Sequence, residues 1–312
     1  MMKYKMGNIE KKNILIVGGT GFIGFHLIKK CLKNNFSVTS LSLTKPKKNR
    51  KHKNVNYLIC DISKKNNIKK KITKDYEIVV NLGGHIDHVN KAKTFNNHYK
   101  GCKNLVDFFS KKKLRIFVQI GSSSEYGMAK SPHKENIKTK ATSIYGKSKL
   151  FSTNFLMKNN KFKDFPFVIL RFYQVFGPNQ EINRMIPMVI NSSLKDEEFG
   201  CSEGKQFRDF LYIDDAVEAI FKTFKNKLIK RKIINIGSGK IINIKYLIKK
   251  IIKINKKGKP LYGIIKLRPD EPLVSYPDLQ NAKKLLNWRS KISFIKGLVK
   301  TIKYYKSIQK AF

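Results

Sequence analysis

The sequence places a tyrosine and a lysine four residues apart, in Tyr145-Gly146-Lys147-Ser148-Lys149. On a helix, residues i and i+4 share one face, so the two side chains can act together. A free tyrosine titrates near pH ~10, and a neighbouring ammonium group favours its phenolate form. Tyr145 could therefore exchange a proton with a substrate oxygen near neutral pH. The spacing is common by chance, so its meaning depends on the residues around it.

A run of hydroxyl side chains follows a predicted strand, in Gly121-Ser122-Ser123-Ser124-Glu125-Tyr126-Gly127. The carboxyl ends of parallel strands face the crevice in which ligands bind. A serine hydroxyl at this position could donate a hydrogen bond to a substrate carbonyl while Tyr145 protonates it. The alternative interpretation is that the serines only cap a turn.

An alternation of apolar strands with helical stretches must position these residues. Strands are predicted at 14–17, 38–43, 55–60, 77–82, 116–120, 167–172 and 233–236. Helices are predicted at 22–33, 91–111, 143–159, 214–227 and, with an interruption near Trp288, 278–309. The basic stretch 44–54 is expected to be an exposed loop. This order is typical of an α/β fold, a Rossmann-type doubly wound parallel sheet with a smaller C-terminal substrate-binding lobe.

A glycine-rich turn lies between the first predicted strand and the first helix, in Gly18-Gly19-Thr20-Gly21-Phe22-Ile23-Gly24. Glycines permit the tight turn and let backbone amides approach a pyrophosphate, and the helix N-terminus favours the negative charge. We therefore expect a dinucleotide at Gly18, Gly21, Phe22, Ile23 and Gly24. We predict two discontinuous domains, with 12–174 plus 212–239 binding the dinucleotide and 175–211 plus 240–312 forming the smaller lobe.

The residue expected to hold the adenosine ribose is not acidic. A carboxylate usually follows the glycine turn by about 20 residues and binds the 2′-hydroxyl of NAD. Here Ser42 lies near that position, and 39–45 contains no carboxylate. The hydroxyls are followed by basic residues that suit a 2′-phosphate, namely Lys45, Lys47, Lys48 and Arg50. This favours NADP, while NAD stays open because lysine is abundant throughout the chain.

The formal net charge of +45 raises the possibility of a nucleic-acid partner. Of the 66 basic side chains only eight are arginine, and the lysines are spread over every segment without base-stacking aromatic motifs. A nucleic-acid groove would favour arginine forks and clustering. We therefore expect no nucleic-acid partner, although the positive field would attract an anionic substrate.

The chain shows no sign of membrane insertion or secretion. It lacks the run of ~18 apolar residues that spans a bilayer, and no apolar stretch precedes the first strand. The four cysteines, Cys31, Cys60, Cys102 and Cys201, are widely spaced and form no CxxC pair. Free thiols indicate a reducing compartment, so we expect no membrane partner and a cytoplasmic location.

Together these motifs resemble the extended short-chain dehydrogenase/reductases, specifically the NAD-dependent epimerase/dehydratase family that acts on nucleotide sugars. The similarity runs from about Asn13 to Tyr305. Its pieces occur in the family's order at 18–24, 60–62, 81–84, 121–127, 145–149, 171–178, 208–215, 235–239 and 268–269.

The resemblance implies a role for each matching position. Asp61 and Ile62 would contact the adenine, and Leu82 and Gly83 would line the dinucleotide. Tyr145 would be the general acid/base, and Lys149 would hold the nicotinamide ribose and lower the pKa of Tyr145. The hydroxyl that polarises the substrate carbonyl lies four residues before the tyrosine of the YG pair, which is Tyr126, so the resemblance names Ser122. Candidate substrate contacts are Ser123, Gln174 and, for the diphosphate, Arg208 and Arg268.

Departures from the family pattern narrow the reaction. Dehydratases of the family carry an Asp-Glu pair directly after the polarising hydroxyl, where this chain has Ser123 and Ser124, although Glu125 follows. Gln174 and His98 each stand where asparagine is usual. Two enzymatic functions remain as hypotheses. We favour a 4-ketoreductase of a nucleotide-linked 4-keto-6-deoxyhexose, and the alternative is a UDP-glucose 4-epimerase-like enzyme. A non-catalytic NADP-binding sensor is the alternative outside catalysis.

The remaining expectations concern metal, assembly and setting. His85 and His88 are three residues apart, but the sequence offers no evident third ligand, so no metal site is expected. By family analogy we expect a homodimer formed through the helices at 91–111 and 143–159. The same analogy suggests deoxysugar supply for surface polysaccharide biosynthesis, with the nucleotide base left open.

Overall fold

A seven-stranded parallel sheet forms the centre of the molecule. The computed structural model describes residues 11–84, 91–159, 162, 164–226 and 228–309. The sheet strands are β1 (Asn13–Val17), β2 (Ser37–Ser42), β3 (Val55–Ile59), β4 (Ile78–Asn81), β5 (Ile116–Ser122), β6 (Phe167–Phe172) and β10 (Lys232–Ile236). Their spatial order is β10-β6-β5-β4-β1-β2-β3, so the crossing point between the two halves lies between β1 and β4. This doubly wound arrangement confirms the predicted Rossmann-type fold.

Helices cover both faces of this sheet because alternate side chains of its strands are apolar on both sides. One core contains Ile14 and Ile16 of β1, and the other contains Leu15 and Val17 of the same strand. The helices between and after the strands are α1 (Phe22–Lys33), α2 (Lys65–Lys71), α3 (Lys91–Phe95), α4 (Gly101–Phe109), α5 (Ile144–Lys158) and α7 (Ile213–Thr223). Among the described residues, no helix combines the length and apolar character that crossing a bilayer requires.

Smaller sheets lie beyond the carboxyl ends of the central strands. One contains β7 (Gln174–Phe176), β9 (Phe207–Tyr212), β11 (Ile241–Asn243) and β13 (Val274–Ser275), and the other pairs β8 (Glu198–Cys201) with β12 (Lys259–Tyr262). Helices α6 (Met185–Leu194), α8 (Ile244–Asn255), α9 (Gln280–Leu286) and α10 (Phe294–Gln309) complete the fold. Trp288 is buried between α9 and α10, where an interruption was expected. The division into two domains stays a prediction, because one apolar core runs from Ile14 to Tyr305 through both parts.

Two local features differ from the sequence-based expectation. The stretch predicted as one helix over 91–111 contains a π-helical turn, Asn96–Lys100, between α3 and α4. The basic stretch 44–54 includes a short 3-10 turn, Lys48–Arg50, and Arg50 is buried rather than exposed. Arg50 turns inward because Glu181 accepts a hydrogen bond from it at 2.8 Å, a partner that lies far away in the sequence.

Candidate active site

Strand β5 ends on Ser122, which begins a 3-10 turn, Ser123–Tyr126. The Ser122 hydroxyl accepts a hydrogen bond from the backbone N–H of Ser124 at 3.2 Å. In return, Glu125 Oε1 accepts a hydrogen bond from the backbone N–H of Ser122 at 2.9 Å. This reciprocal capping box fixes the Ser122 backbone at the carboxyl edge of the sheet. The capping interpretation of the serine run and its predicted role at the substrate are therefore compatible.

Helix α5 carries Tyr145 and Lys149 past this turn. Its N-cap is Ser143, whose hydroxyl accepts a hydrogen bond from the backbone N–H of Gly146 at 3.0 Å. A Cβ atom on Gly146 would lie 2.4 Å from the carbonyl oxygen of Ser124. Only glycine lets the helix approach the turn this closely, so Gly146 sets the distance between Tyr145 and the end of β5. Gly146 is visible in the sequence, but its role becomes clear only from the packing of α5 against this turn.

The Tyr145 hydroxyl faces Ser122. Burial raises the pKa of Tyr145, a hydrogen bond with the Ser122 side chain lowers it in part, and Glu125 raises it further. The positive charge of Arg184 also lowers this pKa. The net pKa stays above the ordinary value, so Tyr145 is a neutral phenol at physiological pH. The expected lowering by Lys149 is not among these influences, and that role stays a prediction.

Lys149 is buried beneath Tyr145. Its Nζ donates a hydrogen bond to the backbone oxygen of Ile120 at 2.9 Å and lies 5.9 Å from the centre of the Tyr145 ring. Burial lowers the pKa of Lys149 to about 8, while Glu125 and Cys102 act in the opposite direction. Lys149 is thus mostly charged at neutral pH and sits on the same helix face as Tyr145, as the spacing predicted.

Glu125 is not available as a catalytic acid. Its carboxylate is fully buried and accepts hydrogen bonds from Arg171 Nε at 2.8 Å and Thr153 Oγ1 at 2.8 Å, besides the Ser122 N–H. These contacts tie the end of β5 to β6 and to α5. Glu125 therefore positions Ser122 and does not face a substrate. The sequence raised Glu125 only as a possible acid and gave no sign of its partner Arg171.

The His98 ring packs against the Tyr145 ring. Its ring centre lies 5.1 Å from that of Tyr145 in an edge-to-face arrangement, and a Cβ on Gly84 would lie 1.8 Å from the His98 ring. The π-helical turn carries His98, and such turns often occur at functional sites because they redirect a side chain. The sequence marked His98 only as a departure from the usual asparagine.

The glycine turn forms a cradle suited to a pyrophosphate. Gly18 has a φ of +78°, and a Cβ on Gly24 would lie 2.4 Å from the Gly18 carbonyl oxygen. A Cβ on Gly21, by contrast, would meet only the Gly18 oxygen, at 3.3 Å, so this side of the turn is open. No side chain caps helix α1 at Gly21, so the backbone N–H groups of Phe22 and Ile23 donate to no capping side chain. These features fit the binding of a dinucleotide.

The other predicted dinucleotide contacts lie around this cradle. A Cβ on Gly18 would lie 3.0 Å from the Leu82 carbonyl and 3.1 Å from the Gly83 nitrogen, so the two segments touch. Ile62 is buried, and its side chain would lie 3.0 Å from a Cβ on Gly83. Asp61 Oδ1 accepts hydrogen bonds from the backbone N–H and the hydroxyl of Ser63, which shapes the turn after β3.

Ser42 lies at the end of β2 and contacts the cradle directly. Its hydroxyl accepts a hydrogen bond from the backbone N–H of Thr20 at 3.3 Å. Arg50 also reaches the turn, with Nη1 3.5 Å from the Thr20 oxygen, but its ion pair is with Glu181. The sequence suggested four basic residues as partners of a 2′-phosphate. Of these, Arg50 is paired with Glu181, whereas Lys45, Lys47 and Lys48 are exposed.

The predicted substrate residues fall on the smaller sheets or at the edge of the site. Gln174 is exposed on β7, next to β9, and Ser123 is partly buried directly after Ser122. Arg208 is buried on β9 and forms an ion pair with Glu271 at 2.7 Å. Arg268 is more exposed and lies 3.6 Å from the same carboxylate. Glu271, which the sequence gave no reason to single out, links the two arginines.

No group of three potential metal ligands occurs among the described residues, and His85 and His88 lie outside them. The described site therefore contains proton-transfer groups, a dinucleotide cradle and paired arginines.

Comparisons with known proteins agree with this arrangement. The family model for the NAD dependent epimerase/dehydratase family matches residues 14–237. A putative UDP-glucose 4-epimerase of Methanocaldococcus jannaschii is 28% identical over 94% of this chain and 98% of its own length. CDP-abequose synthase of Salmonella muenchen is 26% identical over 93% of this chain and 97% of its own length. The structure of an epimerase from Methanothermobacter thermautotrophicus superposes with a TM-score of 0.90 at 20% identity, covering 97% of this chain and 94% of that one, which shows the shared fold.

Proposed function

The chain belongs to the NAD dependent epimerase/dehydratase family and is an enzyme of it, and we propose that it is a 4-ketoreductase of a nucleotide-linked 4-keto-6-deoxyhexose. In this reaction a hydride is added to C4 and a proton to the C4 oxygen, so the ketone becomes an alcohol. A bound NADPH would supply the hydride. The protein's own residues bind and orient the sugar and provide the proton.

The observation that carries this proposal is that, among the residues that the structure describes, no free carboxylate lies beside Ser122 and Tyr145. Elimination of water from a sugar needs an acid and a base next to the reacting carbons. Ser123 and Ser124 offer hydroxyls instead, and Glu125 is buried in its pair with Arg171. The described groups therefore support hydride exchange at C4 without elimination.

The protonation state of Tyr145 favours the direction of reduction. Its pKa is raised by burial, so the side chain holds its proton at neutral pH. A neutral phenol can donate this proton to the C4 oxygen as the hydride arrives, whereas oxidation requires the phenolate. We propose that Ser122 polarises the carbonyl by donating a hydrogen bond and that the charged Lys149 stabilises the phenolate left behind.

For the cofactor we propose NADP, held by the cradle at Gly18, Gly21 and Gly24. Ser42 supports this choice because its hydroxyl brings no negative charge to repel a 2′-phosphate. The exposed lysines at 45, 47 and 48 can neutralise such a phosphate, although Arg50 is not free to do so. NAD remains the alternative, with Ser42 hydrogen-bonding the ribose hydroxyl.

For the substrate we propose a nucleoside-diphosphate sugar bound between the two parts of the fold. Arg208 and Arg268 carry the charge and donors that a diphosphate requires. The net charge of +45 also steers an anionic substrate towards the enzyme. We propose Gln174 on β7 and Ser123 after β5 as sugar contacts.

A 4-epimerase is the second candidate, because a relative with 28% identity is named a putative UDP-glucose 4-epimerase. An epimerase returns the hydride to the opposite face of C4 and consumes no cofactor. The same residues could perform this reaction if bound NAD⁺ lowered the pKa of Tyr145 by its positive charge.

One assay separates the candidates. The purified enzyme is mixed with NADPH and each of the dTDP-, CDP-, GDP- and UDP-linked 4-keto-6-deoxyhexoses, and absorbance at 340 nm is followed. We expect NADPH oxidation with at least one of them. Conversion of UDP-glucose to UDP-galactose without NADPH consumption would instead establish the epimerase. Tyr145→Phe should abolish turnover in either case, and unchanged function in this variant would support a non-catalytic sensor.

We further propose a homodimer formed through the α3–α4 segment and α5. Phe95, Tyr99, Phe151 and Phe155 form an aromatic cluster on these helices, and Phe151 is half exposed. An exposed aromatic patch of this kind is typical of an interface. The four cysteines are buried free thiols, which suits the proposed cytoplasmic setting in deoxysugar supply for polysaccharide synthesis.

A further inference from the structure

Glu271 lies between the two arginines that we propose as diphosphate ligands. Its Oε1 accepts a hydrogen bond from Arg208 Nη2 at 2.7 Å, and its Oε2 lies 3.6 Å from Arg268 Nη2. One carboxylate thus contacts two guanidinium groups from separate segments of the chain. We propose that Glu271 is a positioning residue that prepares Arg208 and Arg268 for the diphosphate, an inference that rests on the proposed function.

The contacts of Arg208 leave a defined part of its guanidinium for a ligand. Nη1 donates hydrogen bonds to the backbone oxygens of Phe207 at 2.9 Å and Leu273 at 3.1 Å, and Nη2 donates to Glu271. An arginine has five N–H groups. The Nε–H and one Nη2–H make no hydrogen bond within the described part of the chain. Glu271 therefore fixes the rotation of the guanidinium and determines where the remaining donors point.

Arg268 is held less firmly and gains more from Glu271. Its side chain is 59% exposed, and its ion pair with Glu271 spans three residues of one turn. The turn is closed by a hydrogen bond of 3.0 Å from the Glu271 backbone N–H to the Arg268 carbonyl oxygen. Without a carboxylate between them, two guanidinium groups this close would repel each other. Glu271 keeps them together before a ligand arrives, which lowers the cost of ordering them on binding.

This role can be tested by whether removing the charge of Glu271 strengthens or weakens diphosphate binding. Removing a negative charge beside an anion site ordinarily strengthens anion binding, because repulsion is lost. A positioning role predicts the opposite for Glu271→Gln, because the arginines lose their common partner. Asp270→Asn is a matched control, since it removes the same charge one residue away. Among the described residues, Asp270 forms no ion pair with either arginine.

The experiment measures the binding of UDP, dTDP, CDP and GDP and of their monophosphates by titration calorimetry at fixed ionic strength. For the tightest diphosphate we expect Glu271→Gln to raise Kd about tenfold, which corresponds to about 1.4 kcal/mol. Its monophosphate should be affected less. Asp270→Asn should leave Kd equal or lower, and Glu271→Asp, which keeps the charge on a shorter arm, should fall between the wild type and Glu271→Gln.

A readout of catalysis distinguishes positioning from a general structural role. With the sugar nucleotide found in the NADPH assay, Glu271→Gln should raise KM and leave kcat within about twofold, because Tyr145 and Ser122 are untouched. An equal or lower Kd in Glu271→Gln would overturn the proposal and show that Glu271 competes with the ligand or is inert.

Variants of the arginines separate this inference from the proposed function. If Arg208→Lys and Arg268→Gln weaken diphosphate binding but Glu271→Gln does not, only the positioning role fails. If neither arginine variant weakens binding, the proposed diphosphate site itself is wrong. Thermal melting of each variant shows that the fold is intact.

Discussion

The contact between helix α5 and the turn after β5 can be tested by Gly146→Ala. The added Cβ would lie 2.4 Å from the carbonyl oxygen of Ser124, whereas ordinary van der Waals contact begins at 3.4 Å. The helix must therefore move by about 1 Å if the turn does not yield. Glu125 holds the turn to β6 through its bond with Arg171, so the displacement falls mainly on the N-terminal end of α5.

This displacement carries Tyr145 away from Ser122. A misplacement of about 1 Å at a reacting group can reduce the rate on the order of 10²-fold. That factor corresponds to about 2.7 kcal/mol of transition-state stabilisation. Alanine is ordinarily about 1 kcal/mol more favourable than glycine in a helix interior, so helix propensity cannot account for a loss. The expected result is a strong fall in kcat at saturating substrate and NADPH.

Gly297→Ala in α10 is the matched control. Its Cβ would meet the Tyr212 ring at 2.6 Å, so it also crowds a helix, but its nearest neighbours are Tyr212 and Phe176 and not Tyr145 or Ser122. It should lower the melting temperature and leave kcat nearly unchanged. A folded Gly146→Ala enzyme with kcat within threefold of the wild type would show that this contact does not set the geometry of the site.

Further predictions concern the surrounding groups. Glu125→Gln should lower the free energy of unfolding by about 3–5 kcal/mol, because it leaves the buried Arg171 charge without its partner; urea denaturation measures this, and a loss below 1 kcal/mol would contradict it. The value of kcat/KM should decline as pH rises through about 8, since the buried Lys149 has its pKa lowered to about 8 and is needed in its charged form; a profile flat to pH 10 would argue against that role. Ser42→Asp should shift the ratio of kcat/KM from NADPH towards NADH at least tenfold by repelling the 2′-phosphate, and an unchanged ratio would mean that Ser42 is remote from it. Phe151→Asp should convert a dimer into a monomer in sedimentation experiments, while a wild-type monomer would refute the proposed interface.

Local patterns were sufficient for most of the fold. The strand-turn-helix at 13–33 could be predicted because the apolar strand, the glycine spacing and the amphipathic helix all depend on neighbouring residues. Tyr145 and Lys149 share a helix face for the same reason. The contacts of His98 on the π-helical turn Asn96–Lys100 could not be predicted, because Gly84 and Tyr145 belong to other segments of the chain.

The sequence by itself determined the parallel α/β architecture, the dinucleotide cradle and the proximity of a tyrosine to a lysine, because each follows from residues close together in the chain. Only the tertiary structure decided what Glu125 and Glu271 do. Their partners Arg171 and Arg208 are 46 and 63 residues away. Burial and partnership determine whether a carboxylate is an acid, an anchor or a spacer between arginines, and both arise only when distant segments pack together.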